Sequence, residues 1–312
     1  MQFRTFEDLH RTIVKNLHKV PADVDLIIGI PRSGLMAANI LAIHLHLPVT
    51  DLNRFLEGKT ISSGDRLNGI GKHSDTFKHA LVVDDSLHTG KAMKRAMSKL
   101  QSSLSDTRFT TAAVYMNPSS VAESDIYFEQ CPVPRVFEWN IMNHQYLEHA
   151  CVDIDGVLCA DPTPDENDDG ENYIRFLENA KPLLRCRKKI GYLVTNRLEK
   201  YRSHTENWLL EHGIQYNHLI MQNLPDQETR RKLNNYGRYK AEAYIKFDRT
   251  KIFIESSYRQ AREIAALSGK MVYCVDKRIM IRPGIISKSK RRTRKIKRKI
   301  ASKFFHIGSI FS

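Results

Sequence analysis

The stretch Leu81-Val82-Val83-Asp84-Asp85-Ser86-Leu87-His88-Thr89-Gly90-Lys91 decides how the first half of the chain is read. Its apolar opening has the character of a buried strand, and its close has the hydroxyls and glycine of a turn into a helix. Two adjacent carboxylates at a strand end repel each other unless a cation or sugar hydroxyls lie between them. Ser86, Thr89 and the backbone up to Gly90 suit a phosphate monoester. Polyol binding and phosphate binding therefore stand side by side.

Working outward, an apolar run Leu26 to Ile30 leads into a helical pattern over 34–46, Ala80 to Val83 leads into one over 90–100, and Thr110 to Tyr115 follows. Parallel strands joined by helices, an α/β architecture, account for this alternation. In such sheets ligands sit at the carboxyl ends of the strands, where loops enter helix N-termini. Gly29-Ile30-Pro31-Arg32-Ser33-Gly34 is one such loop. Gly34 permits a tight turn, the free N–H groups of the helix start point outward, and Arg32 and Ser33 add a charge and a hydroxyl, which makes an anion cradle.

The run VVDDSLHTG, with GIPRSG upstream, resembles the 5-phosphoribosyl-1-pyrophosphate (PRPP) motif and the pyrophosphate loop of type I phosphoribosyltransferases over residues 20–120. The resemblance implies that Asp84 and Asp85 meet the ribose hydroxyls, that Ser86, His88, Thr89 and Gly90 lie along the loop for the 5-phosphate, and that Arg32, Ser33 and Gly34 hold the Mg-pyrophosphate. The family's flexible hood would fall at Arg54 to Arg66.

A second strand ending in carboxylates follows an apolar-aromatic connection over 137–149: Ala150-Cys151-Val152-Asp153-Ile154-Asp155-Gly156-Val157-Leu158. Alternation puts Asp153 and Asp155 on one side, and Gly156 breaks the strand. One carboxylate can attack phosphorus while the other protonates the leaving oxygen, with Mg2+ offsetting their repulsion. Further on come Ile190 to Asn196, a strand carrying Thr195; Lys240 near the start of a helix over 240–247; and Lys251 to Ser257, a strand ending in Glu255. In this order the segments resemble the four motifs of haloacid dehalogenase-superfamily phosphatases. The resemblance implies Asp153 as nucleophile, Asp155 as acid and base, Thr195 and Lys240 as phosphate holders, and Asp153, Asp155 and Glu255 as Mg2+ ligands. Lys246 is a rival for Lys240, and Ser256 stands where the family usually offers a second acid. The acidic loop Asp161 to Glu171 reads as a solvated loop shaping entry, too short for a sizeable cap. His204, His212 and His218 read as surface or helix residues.

The chain has 312 residues, enough for two domains, and its 41% hydrophobic residues can fill ordinary cores. The expected division is 1–145 for the transferase domain, 146–284 for the phosphatase domain, each a parallel-sheet, Rossmann-like fold, and 285–312 for a tail. Five cysteines without a CxxC pair argue against a disulfide framework and a structural zinc site. No secretory run opens the chain and no apolar stretch is long enough for a transmembrane helix, so the expected place is the cytoplasm. The net charge of +14 is concentrated between Lys288 and Lys303, which holds ten Lys and Arg. There Ile296, Ile300, Phe304, Ile307 and Phe311 share one helical face, which predicts a basic amphipathic helix lying on an anionic membrane surface. A solvated tail and a nucleic-acid arm are the alternatives, the last disfavoured by the modest charge elsewhere.

A domain that deposits phosphoribose joined to one that removes phosphate has ribofuranose as its joint product. For base salvage the second activity would waste the first, because it would turn a nucleotide into a nucleoside. The arrangement resembles transferase and phosphatase pairs that install ribofuranose in bacterial surface polysaccharides, which implies PRPP as donor and a glycan on a lipid carrier as acceptor, at the inner face of the cytoplasmic membrane. The alternatives are a nucleotide-metabolism enzyme making nucleosides and a PRPP-sensing regulator that binds nucleic acid.

Overall fold

The computed structural model describes residues 1–59, 76–102 and 106–284. The expected tail helix and the part of the expected hood from Thr60 onward lie outside the described residues. The chain divides into two compact units, Met1–Trp139 and a second beginning at Asn140.

The first unit runs β1 (Gln2–Arg4), α1 (Phe6–Lys15), β2 (Leu26–Gly29), α2 (Ser33–Leu45), β3 (Val49–Asp51), α3 (Leu52–Leu56), β4 (His79–Leu87), α4 (Lys91–Gln101), β5 (Arg108–Met116), β6 (Ile126–Gln130) and β7 (Arg135–Phe137). Five strands form a parallel sheet in the order β3-β2-β4-β5-β6, and β1 pairs in parallel with β7. Successive strand residues face opposite sides of a sheet, and both sides are covered here. Ile27, Leu81, Val83, Ala112 and Val114 pack with Leu9 and Ile13 of α1 and Ala37, Ala38 and Leu41 of α2. Leu26, Ile28, Ala80, Val82 and Ala113 pack on the other side with Phe55, Phe77 and with Met93, Ala96 and Leu100 of α4. This double coverage explains why the strands read as continuous apolar runs.

The second unit contains β8 (Ala150–Val152), α5 (Glu171–Asn179), β9 (Ile190–Leu198), α6 (Arg202–Glu211), β10 (Tyr216–Gln222), α7 (Gln227–Leu233), α8 (Tyr236–Lys246), β11 (Ile252–Glu255), α9 (Tyr258–Ser268), β12 (Val272–Cys274) and β13 (Ile279–Ile281). Its sheet order is β10-β9-β8-β11-β12-β13, parallel except for β13 against β12. Cys151, Val194 and Phe253 bury against Ala241 and Tyr244 of α8 and Ile264 and Ala265 of α9. Among the described residues no helix is long and apolar enough to cross a membrane.

Two sequence boundaries are corrected. Helix α8 starts at Tyr236, four residues before Lys240, because Asn235 already accepts the Tyr239 amide through its carbonyl. Strand β4 does not end at its carboxylates but continues to Leu87, since Ser86 and Leu87 still pair with Tyr115 and Met116 of β5.

Gly191, the second residue of β9, has no room for a side chain: a Cβ there would lie 2.4 Å from the Glu148 carbonyl oxygen. That neighbour is backbone and cannot swing aside. Gly191→Ala is expected to cost about 1–3 kcal/mol by forcing the segment before β8 away from β9, read as a lowered midpoint in thermal denaturation. An unchanged midpoint would show that this contact opens freely.

Candidate functional sites

In the first unit β2 pairs with β4 only as far as Gly29 opposite Val83, so Asp84 and Asp85 lie on a stretch of β4 that overhangs β2. The start of α2 fills the space beside this overhang. A Cβ on Gly34 would fall 2.7 Å from the Val83 carbonyl oxygen and 3.1 Å from Asp84 Oδ1. Gly34 is therefore required for close helix–strand approach, not for the tight turn that the sequence suggested. Ser33 Oγ donates to Asp85 Oδ1 at 2.8 Å, and Trp139 Nε1 donates to Asp85 Oδ2 at 2.9 Å. Asp84 Oδ1 accepts from the Asp85 amide at 2.9 Å.

Both acids are buried. Burial, and then the charge of Asp85, push the Asp84 carboxyl up to about 8. Arg135 works against this shift. Its guanidinium is itself buried, lies 5.5 Å from the Phe137 ring centre and donates to the Cys131 carbonyl at 2.7 Å. Trp139 stacks on Phe137 at 4.7 Å between centroids, and Phe137 stacks on Tyr115 at 5.4 Å. Sequence reasoning treated this aromatic segment as the start of a connection and missed both Arg135 and Trp139. The signal available was an indole N–H and a guanidinium next to an apolar run, groups that seek acceptors when buried.

The other expected PRPP residues lie around the same strand ends. Arg32 is exposed at the N-cap position of α2, and the Pro31–Arg32 peptide is cis. Ser86 is half-buried, while His88 and Thr89 are exposed. The His88 carbonyl accepts from Ser120 Oγ at 2.6 Å, which ties the loop to the segment after β5. Gly90 caps α4 with φ of 69°, a conformation that favours glycine. Glu123 lies against it and pairs with Lys94 at 2.7 Å.

In the second unit the carboxyl ends of β8, β9 and β11 converge with α8. Lys240 Nζ is buried and donates to Asp153 Oδ2 at 2.6 Å and to Glu255 Oε2 at 2.7 Å. Burial works to lower the Lys240 ammonium, but the two carboxylates outweigh it and the net shift is upward. Asp153 is pushed well above the carboxylate range, first by burial and then against the pull of Lys240. Its second oxygen, Oδ1, is buried without a hydrogen-bond partner. Glu255 Oε1 accepts from the Ser257 amide at 3.0 Å. Lys246, the rival, is exposed at the end of α8.

Asp155 has a different partner. Arg197 reaches it with Nη2 at 2.6 Å from Oδ1 and Nε at 3.1 and 3.2 Å from the two oxygens. Burial opposes the charge on Arg197, but Asp155 overcomes it and the guanidinium is held firmly protonated. Arg197 also meets Thr205 Oγ1 at 3.3 Å and the face of Phe176 at 5.9 Å. Thr195, fully buried on β9, accepts from the Arg197 amide through Oγ1 at 3.2 Å. Arg197 was missed because the strand reading stopped at Asn196; a lone cation inside a buried strand was the available sign that an acid faces it.

These pairings occupy most of the oxygens of the expected metal set. Asp155 is engaged by Arg197, and Lys240 joins Asp153 to Glu255. Among the described residues no group of three or more His, Cys, Asp or Glu is placed to hold a metal ion. The three carboxylates do not fit Mg2+ as a set; Asp153 Oδ1 is the one open oxygen. His204 pairs with Glu178 at 2.9 Å, His212 contacts the Trp208 carbonyl at 2.9 Å, and His218 stacks on Tyr192 at 5.0 Å.

A parallel sheet with a hydroxyl- and glycine-rich loop leading from a strand into a helix gives the first unit an α/β architecture, the kind in which ligands sit at the carboxyl ends of the strands. The family model for the phosphoribosyl transferase domain matches residues 3–147, and this part of the chain is such a domain. Solved structures similar to the chain include the Helicobacter pylori xanthine-guanine-hypoxanthine phosphoribosyltransferase, at 19% identity over 45% of this chain and 92% of that one, with a TM-score of 0.35. Another is the purine phosphoribosyltransferase from Pyrococcus horikoshii Ot3, at 21% identity over 44% and 92%, with a TM-score of 0.32. A third is the orotate phosphoribosyltransferase from Aeropyrum pernix, at 16% identity over 40% and 70%, with a TM-score of 0.29. No curated protein matches the chain.

Two measurements probe the sites. A carboxyl whose pKa is raised by folding stabilises the fold fully below its unfolded value near 4, and this contribution is lost as pH rises through the folded value near 8. Asp84→Asn should therefore gain stability relative to the wild type as pH goes from 5 to 8.5. Urea unfolding at several pH values reads this; a gap that does not widen with pH would show that Asp84 ionises normally. Lys240→Met leaves two carboxylates buried without their cation and is expected to cost about 3–5 kcal/mol. A loss under about 1 kcal/mol would show that the lysine is not the cation holding the pair.

Proposed function

We propose that the chain is a bifunctional enzyme. Its first unit transfers 5-phosphoribosyl from PRPP to an acceptor with release of pyrophosphate, and its second, a haloacid dehalogenase-type phosphatase, then removes the 5-phosphate. The observation that carries the two-step reading is the open, buried Oδ1 of Asp153, whose partner oxygen is pinned by Lys240, in a chain that also holds a phosphoribosyl transferase domain.

In the transfer, the bond from C1 to the pyrophosphate oxygen breaks, an oxocarbenium-like centre accepts the acceptor oxygen, and the proton of that hydroxyl leaves with the pyrophosphate. Mg2+ enters as the counterion of the donor's diphosphate. The N–H groups opening α2 and α4, with Arg32, serve the phosphate groups. Both oxygens of Asp85 already accept hydrogen bonds, from Ser33 and Trp139, so the ribose hydroxyls fall chiefly to Asp84. Asp85 braces the loop that carries Arg32.

In the hydrolysis, the proton held by Asp153 passes to Asp155, Asp153 Oδ1 attacks phosphorus, and the ester oxygen leaves with that proton. Asp155 then takes a proton from the water that releases phosphate from Asp153. Lys240 compensates the charge of Asp153 and Glu255, Thr195 lies at the phosphate, and Arg197 fixes the orientation of Asp155.

Removing the phosphate would turn a nucleotide into a nucleoside and undo the value of base salvage. The domain pairing therefore favours a glycan acceptor carried on a lipid, and the basic, apolar-striped sequence over 288–311 favours work at an anionic membrane surface.

Incubation of the full chain with PRPP, Mg2+ and a synthetic lipid-linked oligosaccharide tests this reading by mass spectrometry. The wild type should add ribose, Asp153→Asn should add ribose phosphate, and Asp84→Ala with Asp85→Ala should add nothing. Transfer to a free base in place of the glycan would move the reading to nucleotide metabolism, and no pyrophosphate release with any acceptor would overturn it.

A further inference from the structure

A cavity of about 630 Å³ opens in the second unit between the loop after Asp155 and helix α5, with Asp161 and Phe176 in its lining. We infer that it is the pocket for the leaving group of the phosphatase site and that it takes a neutral, hydroxyl-rich sugar. The inference rests on the phosphatase reading and goes beyond it by assigning the substrate class to named residues.

The cavity and the acids share walls. Asp161 lines it, and Asp161 Oδ2 lies 2.9 Å from where a Cβ on Gly156 would be, one residue past Asp155. Phe176 also lines it, and that ring packs against Arg197, the cation that holds Asp155. The edge of the loop is fixed as well, because the Ala160 amide donates to the Lys181 carbonyl at 2.9 Å. The cavity thus reaches the acids through Asp161, beside Gly156, and through Phe176, beneath Arg197.

The lining selects among leaving groups. Arg175 Nη2 donates to Asn172 Oδ1 at 2.6 Å, and Asn179 Nδ2 donates to the Arg175 carbonyl at 2.8 Å, so one face of α5 holds an ordered row of amide and guanidinium groups. The amides can both donate to and accept from sugar hydroxyls, and the guanidinium can donate to them. Phe176 is the one aromatic residue of the lining and is buried beneath Arg197, so no exposed ring is offered to stack on a nucleobase. Asp161, Asp165 and Glu166 outnumber the cations Arg175 and Lys181, which disfavours a leaving group bearing a second phosphate.

The test compares three substrates on the full chain: methyl ribofuranoside 5-phosphate, a nucleoside 5′-monophosphate and p-nitrophenyl phosphate. The wild type should cleave the riboside with kcat/KM at least tenfold above either of the others. Arg175→Met and Asn179→Leu, both on an exposed helix face, should lower that preference about tenfold, through KM and with little change in kcat, while their thermal midpoints stay near that of the wild type. Equal cleavage of the three substrates, preference for the nucleoside monophosphate, or an unchanged preference in both variants would overturn the pocket while leaving the phosphatase reading intact. Failure to cleave even p-nitrophenyl phosphate would instead sink the phosphatase reading, and the pocket with it.

Discussion

A single ammonium group, buried between the Asp153 and Glu255 carboxylates, ties one helix of the second unit to the ends of two neighbouring strands. Without it the sheet would carry two desolvated negative charges side by side, a cost that no apolar contact nearby could offset. With it, one oxygen of Asp153 is consumed and the other is left open. The asymmetry matters for chemistry, because a carboxylate with one fixed and one free oxygen is already aimed.

The same logic recurs around it with different partners. Asp155 is held by Arg197, and in the first unit Asp85 is held by Ser33 and Trp139. In each place a neighbouring acid remains less encumbered: Asp153 beside Asp155, and Asp84 beside Asp85. Burial acts on both of the remaining acids in the same direction, upward.

Much of the architecture was legible in the chain because strands buried on both faces must be apolar throughout and helices between them must be amphipathic. That is how β2, β4 and β5 could be read from Leu26, Ala80 and Thr110 onward. The carboxyl-end loops were legible for a related reason: glycines, hydroxyls and acids clustered after an apolar run have few structural explanations. Boundaries were less accessible. The continuation of β4 to Leu87 depends on how far β5 extends beside it, and the start of α8 depends on the capping at Asn235, neither of which has a strong local signature.

By itself the sequence determined the α/β alternation and the placing of paired acids after apolar runs, since apolar periodicity and local turn chemistry are properties of neighbours in the chain. Tertiary structure decided which partner each acid has. Arg197 lies 42 residues from Asp155, Lys240 lies 87 from Asp153 and Trp139 lies 54 from Asp85. It also decided that Lys240, not Lys246, meets the carboxylates, because six residues along a helix turn a side chain well away from its starting face. Electrostatic pairing acts through space over a few ångströms, and only the folded chain sets those distances.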